Sequence, residues 1–227
     1  MNVTSTQRLK TNIDFRRWAE VYEHKYGECI EYRDSRRRVL EEVSPRFESL
    51  SKEVIHRGYL FREEFINICK WKTSRPLPHY RKNSESQVRH LTTELVKLHP
   101  DIEAQLVLLM GTKRPKGVGM AVASALLTVL FPSDYCVIDY RARRCLYWLQ
   151  NGPSCTNTYR GFAATHDFLS QDLSPSIYLR YLGDVTGLAK TRRMTPRQIE
   201  MALWQYDKDG GVIAEKNDSA RHKRGTK

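Results

Sequence analysis

Lys113-Arg114-Pro115-Lys116-Gly117-Val118-Gly119-Met120-Ala121-Val122-Ala123 is the stretch on which the fold turns. An apolar segment, Leu106 to Met110, leads into it, and a second apolar segment built of small residues leads out. Between them the proline and glycines predict a tight turn joining two helices. Gly117 and Gly119 allow backbone conformations closed to other residues and let the main chain approach a partner closely. The amides from Gly119 onward then lie at a helix N-terminus, where unpaired N–H groups and the helix dipole favour a phosphate. Lys113, Arg114 and Lys116 add fixed positive charge around the turn. The alternative is an ordinary helix–helix turn beside a few solvated cations.

Downstream comes Phe131-Pro132-Ser133-Asp134-Tyr135-Cys136-Val137-Ile138-Asp139-Tyr140-Arg141, followed by the apolar-basic helix Ala142 to Leu149. The order is hairpin, apolar helix, short loop, apolar pair, acid, basic helix. In this order the chain resembles the helix-hairpin-helix DNA glycosylase superfamily, whose GVG hairpin clamps the DNA backbone and whose following aspartate is catalytic. In lyase-active members a lysine stands two residues after the second hairpin glycine and the aspartate eighteen residues beyond it. Here those positions are Ala121 and Asp139, also eighteen residues apart. The arginine often found five residues after the aspartate falls on Arg144. The likeness covers roughly 40 of the 227 residues.

The resemblance implies an all-α, glycosylase-like helical bundle, as one unit or as two lobes with a cleft between them. It implies Asp139 as the catalytic residue, and Lys113, Arg114, Lys116, Gly117, Gly119, Arg141 and Arg144 as contacts to double-stranded DNA. Two departures qualify it. Alanine at 121 cannot form the Schiff base that lyase chemistry needs, so any base release is expected to be monofunctional. The family's Leu-Pro before GVG is replaced by Pro115-Lys116, which removes a hydrophobic anchor from the hairpin. Asp139 has a plainer role open to it as well, the N-cap of the helix it precedes. Base processing also calls for an aromatic wedge or pocket. Trp71, His79, Tyr80, Tyr135 and Tyr140 are the candidates, with Trp71, Tyr80 and Tyr140 foremost, although core packing is open to each.

Elsewhere the apolar periodicity predicts helices over Ile13–Tyr26 and Leu60–Trp71, and the two prolines predict an extended Arg75–His79. Ser84 and Gln87 form a capping box for a helix reaching Leu98, and Asp101 caps another over Ile102–Met110. A loop at Asn151–Asn157 and helices over Tyr159–Leu169 and Pro175–Ala189 follow. Thr195, Pro196 and Gln198 open a last helix with Ile199, Leu203 and Tyr206 as its apolar stripe, ended by Gly210-Gly211. Arg33 and Arg36-Arg37-Arg38, mixed with Asp34, Glu41 and Glu42, read as a solvated helix without a function. No strand alternation stands out. The expected organisation is a helical domain over 1–211, with the hairpin and acid segment at 106–149, and a basic, disordered tail over 212–227.

Composition sets the outer limits. Lys and Arg outnumber Asp and Glu by 38 to 26, a net charge of +12, which raises the expectation of a polyanionic partner. A basic but inert surface is the alternative. The longest apolar run, Ala121 to Pro132, is too short to span a bilayer, and no leader-like stretch opens the chain. The expectation is a soluble protein, cytoplasmic or nucleoid-associated, without a membrane partner. The five cysteines form no zinc-like spacing, the histidines likewise, and no cysteine follows Cys155 to build the iron–sulfur cluster of some glycosylases. No cofactor or metal is expected. Three functions stay open: a monofunctional DNA N-glycosylase, a non-catalytic DNA-binding module on the same scaffold, or an all-helical interaction protein.

Overall fold

The computed structural model describes residues 13–26, 30–33, 39–43, 47–151 and 173–211. Within them the chain is helical apart from one two-stranded hairpin. Helix α1 (Phe15–Tyr26) is followed by strands β1 (Ile30–Arg33) and β2 (Val39–Val43), which pair antiparallel with Ile30 opposite Val43. Helices α2 (Phe47–Arg57), α3 (Arg62–Lys72), α4 (Leu77–Tyr80), α5 (Glu85–Leu98) and α6 (Ile102–Met110) lead to the hairpin turn. Helices α7 (Met120–Leu130), α8 (Tyr140–Asn151), α9 (Pro175–Arg192) and α10 (Pro196–Lys208) complete the described fold. The loop expected at Asn151–Asn157 (beyond its first residue), the helix expected over Tyr159–Leu169 and the tail from 212 lie outside the described residues, as do Arg36, Arg37 and Arg38.

Local sequence explains most of the helix boundaries. Ser84 accepts from the Gln87 N–H at 3.2 Å while Gln87 Oε1 accepts from the Ser84 N–H at 2.8 Å, closing the expected capping box. Asp101 Oδ1 accepts from the Ala104 N–H at 3.0 Å. Thr195 and Gln198 make the same reciprocal pair at the start of α10. Two expectations fail. Residues 77–80 form one helical turn in place of the expected extended segment, because Pro76 and Pro78 fall at its start, where a missing N–H costs nothing. Residues 30–33 and 39–43 are strands in place of the expected solvated helix; Ile30, Tyr32, Val39 and Val43 favour the pleated chain over the helix.

Helix α7 is the centre of the molecule. Every one of its residues from Val122 to Leu130 is buried, and α2, α3, α6 and α9 pack around it. Helix α10 lies against α1, α8 and α9. The buried apolar side chains form one connected core running from Ile13 to Tyr206. Cys136 and Cys145 are core thiols, as expected. No described helix is long and apolar enough to cross a membrane.

Candidate nucleic-acid interface and acid site

The hairpin is held from beneath. Asn83, almost fully buried, accepts the Lys116 N–H at 2.8 Å and donates to the Lys116 carbonyl at 3.1 Å and the Tyr80 carbonyl at 2.9 Å. Gly117 sits at φ +84°, and a Cβ there would lie 2.8 Å from the Tyr80 ring. Only glycine meets both demands at that position. Val118 is buried and anchors the turn in the core. Gly119 faces the other way: it is exposed, caps α7 without any side chain, and has open space where its Cβ would be. Lys113, Arg114 and Lys116 are exposed around it. The start of α7 thus has an exposed glycine in the same turn as three exposed cations, while Met120 and Val122 just behind it are buried.

The acid segment is built from α7 and α9. Ser124 Oγ on α7 donates to the Ala121 carbonyl at 2.8 Å and accepts the Ile138 N–H at 3.0 Å. The Tyr178 and Tyr181 hydroxyls on α9 donate to the Cys136 and Val137 carbonyls at 3.1 and 3.3 Å. An irregular buried strand of chain is thus satisfied by side chains rather than by a ladder. It delivers Asp139 to the start of α8, where Oδ1 accepts the Arg141 N–H at 3.0 Å. The capping role is therefore real.

Asp139 Oδ2 also accepts from Lys72 Nζ of α3 at 2.7 Å, with 28% of the aspartate side chain and 12% of the lysine side chain exposed. Burial pushes the Asp139 carboxyl up, but the Lys72 charge and hydrogen bond, with the Arg141 N–H, outweigh it and hold the group below its ordinary value. The residue is a committed carboxylate at a partly open helix start.

Several site residues named from sequence have other work. Arg144 is clamped to Asp207, Nε to Oδ1 at 2.7 Å and Nη2 to Oδ2 at 2.6 Å, and Asp207 has no exposed side-chain surface. It braces α8 against α10 with a guanidinium already engaged by a carboxylate. Arg141 reaches the same carboxylate at 3.3 Å but keeps 41% of its side chain exposed, so it can still face a ligand. Tyr80 is fully buried under Gly117 with its hydroxyl on the Thr73 carbonyl at 3.2 Å; it supports the hairpin and cannot act as a wedge. Tyr135 is likewise buried, donating to Gln105 at 2.8 Å, and burial raises its hydroxyl to about 12. Trp71 and Tyr140 are half-buried, and His79 is exposed.

Sequence reasoning missed Lys72 as a partner for Asp139, and it missed Arg197, Glu200 and Asp207. Arg197 and Glu200 pair with each other inside the protein, and Arg197 Nη2 also donates to the Tyr22 hydroxyl at 3.3 Å. The Arg197 guanidinium lies 5.6 Å from the Trp71 ring centre. A signal existed for two of these. Glu200 and Asp207 stand among Ile199, Leu203 and Tyr206 at spacings that fall on the buried side of α10, where an acid needs a partner. Among the described residues no group of three or more His, Cys, Asp or Glu could hold a metal ion. Comparisons with protein-family models, with curated proteins and with solved structures each return no match.

Proposed function

We propose that this protein binds double-stranded DNA through the 113–119 hairpin and releases a base from it as a monofunctional N-glycosylase. The observation that carries the proposal is Asp139: a carboxylate held ionised by Lys72 at the partly open start of α8, in glycosylase-like register with an uncapped glycine turn. Hydrolysis of a glycosidic bond passes through an oxocarbenium-like sugar, and a nearby fixed anion stabilises that cation. A carboxyl whose pKa is lowered is a weak proton acceptor, so electrostatic stabilisation suits Asp139 better than general-base work. Water then adds to the sugar carbon, and the departing base takes up a proton. Lys72 orients the carboxylate, and Ala121 offers no amine for a lyase step.

One observation favours a second reading, a DNA-binding module without chemistry. Both oxygens of Asp139 already serve the fold, one on the Arg141 N–H and one on Lys72. A panel of duplexes each bearing a single altered base separates the two. Base release that is lost in Asp139→Asn supports the enzyme; salt-dependent binding with no base released from any duplex supports the module.

A further inference from the structure

Beside the hairpin, α5, α6 and the turn between α6 and α7 enclose an open groove of about 420 Å³. Its apolar wall includes Leu91, Leu108 and Val107, and Val107 is 70% exposed, the most open large apolar side chain among the described residues. Along one margin stand Lys113, Arg114 and Lys116, and none of the three forms a salt bridge with a described carboxylate. The one carboxylate of the described lining, Glu94, is already paired with Lys97 at 2.8 Å. The groove thus offers uncovered apolar surface next to unbalanced positive charge.

We infer that this groove docks an acidic amphipathic helix of a partner protein, with the partner's apolar stripe on Val107, Leu91 and Leu108 and its carboxylates on Lys113, Arg114 and Lys116. Three cations within four residues match a row of carboxylates better than the single head of a small amphiphile. The apolar wall offers nothing to a phosphate backbone, so DNA alone leaves it uncovered. Helix-in-groove recognition uses this combination of apolar anchors at helical spacing and a charged margin. Because the same cations flank the Gly119 amides, a docked acidic helix and a DNA phosphate compete; that corollary, unlike the docking itself, rests on the DNA-binding reading.

The test uses the full chain and a fluorescein-labelled peptide of about 14 residues, with leucines at i, i+4, i+7 and i+11 and Glu or Asp on the flanks. Controls scramble the leucine spacing or replace the acids with lysine. Fluorescence anisotropy should show saturable binding of the acidic striped peptide alone. Val107→Gln, a surface change that leaves the fold intact, should weaken it about tenfold, and the double variant Lys113→Ala/Lys116→Ala should weaken it to a similar degree. Equal binding by the scrambled peptide, no binding, or indifference to Val107→Gln overturns the inference. So does a dimer of the chain alone that dissociates in Val107→Gln, which assigns the groove to a second copy. A duplex whose affinity falls in Val107→Gln assigns it to DNA and overturns the inference too. If no duplex binds the wild-type chain, the DNA reading fails while the peptide result stands by itself.

Discussion

Two glycines two residues apart carry opposite demands. At Gly117 the positive φ and the Tyr80 ring both exclude a side chain, so Gly117→Ala should destabilise the protein by about 2 kcal/mol or more, measured by denaturant unfolding. At Gly119 a Cβ meets nothing and φ is −108°. Gly119→Ala should cost no more than about 1 kcal/mol, the loss of a favoured N-cap residue, and, if the proposed DNA contact holds, should weaken duplex binding by crowding the start of α7. Equal loss of stability in both variants would remove this distinction. Asp139 makes a prediction in pH. Its folded pKa is lowered, so the stabilisation from Lys72 is complete above the ordinary carboxylate value and is lost as pH falls through the lowered one. The Tm difference between wild type and Asp139→Asn should be flat from neutrality to about pH 5 and shrink below about pH 4. The capping aspartate and the glycine turn were legible in the sequence. Lys72 was not, because it meets Asp139 across 67 positions and no local pattern links them.

At the level of elements, legibility followed the grammar of helix ends. Ser84, Asp101 and Thr195 each announce a helix by a side chain that caps it, and each does so in the structure. Thr195→Ala should cost about 1 kcal/mol in urea unfolding. The one-turn helix α4 is hidden because proline reads as a breaker where it acts as a starter. The β1–β2 pair is hidden because its charged residues outweigh its β-branched ones to the eye. The α8–α10 contact shows what tertiary structure adds to periodicity. Asp207 reads as a polar position near the end of an amphipathic helix, yet it is sealed and receives the Arg144 fork. Asp207→Ala strands that arginine and should destabilise the protein by about 3 kcal/mol, far more than an exposed ion pair would.

For the molecule as a whole, the basic balance is the property that reaches furthest. If the hairpin cations neutralise phosphates, replacing Lys113, Arg114 and Lys116 by alanine should flatten the dependence of log affinity on log salt. The expected change is roughly 0.9 in slope for each phosphate left without its cation. Binding whose salt slope stays unchanged in the triple variant would place the DNA elsewhere. The predominantly helical character was open to view in the sequence, whereas the central position of α7 among the described residues was not, since a run of small apolar residues fits a buried helix in many arrangements. That position has a mechanical meaning. Ser124 ties the acid segment to the same helix whose first turn begins at Gly119, and Tyr178 and Tyr181 lock the segment from the far side. The glycine turn and the acid segment are two marks on one stiff ruler, separated by a fixed length of helix at about 1.5 Å per residue. Such a ruler cannot stretch. In the proposed reaction the duplex does the bending, and the strand is acted on at a constant offset from the phosphate first held.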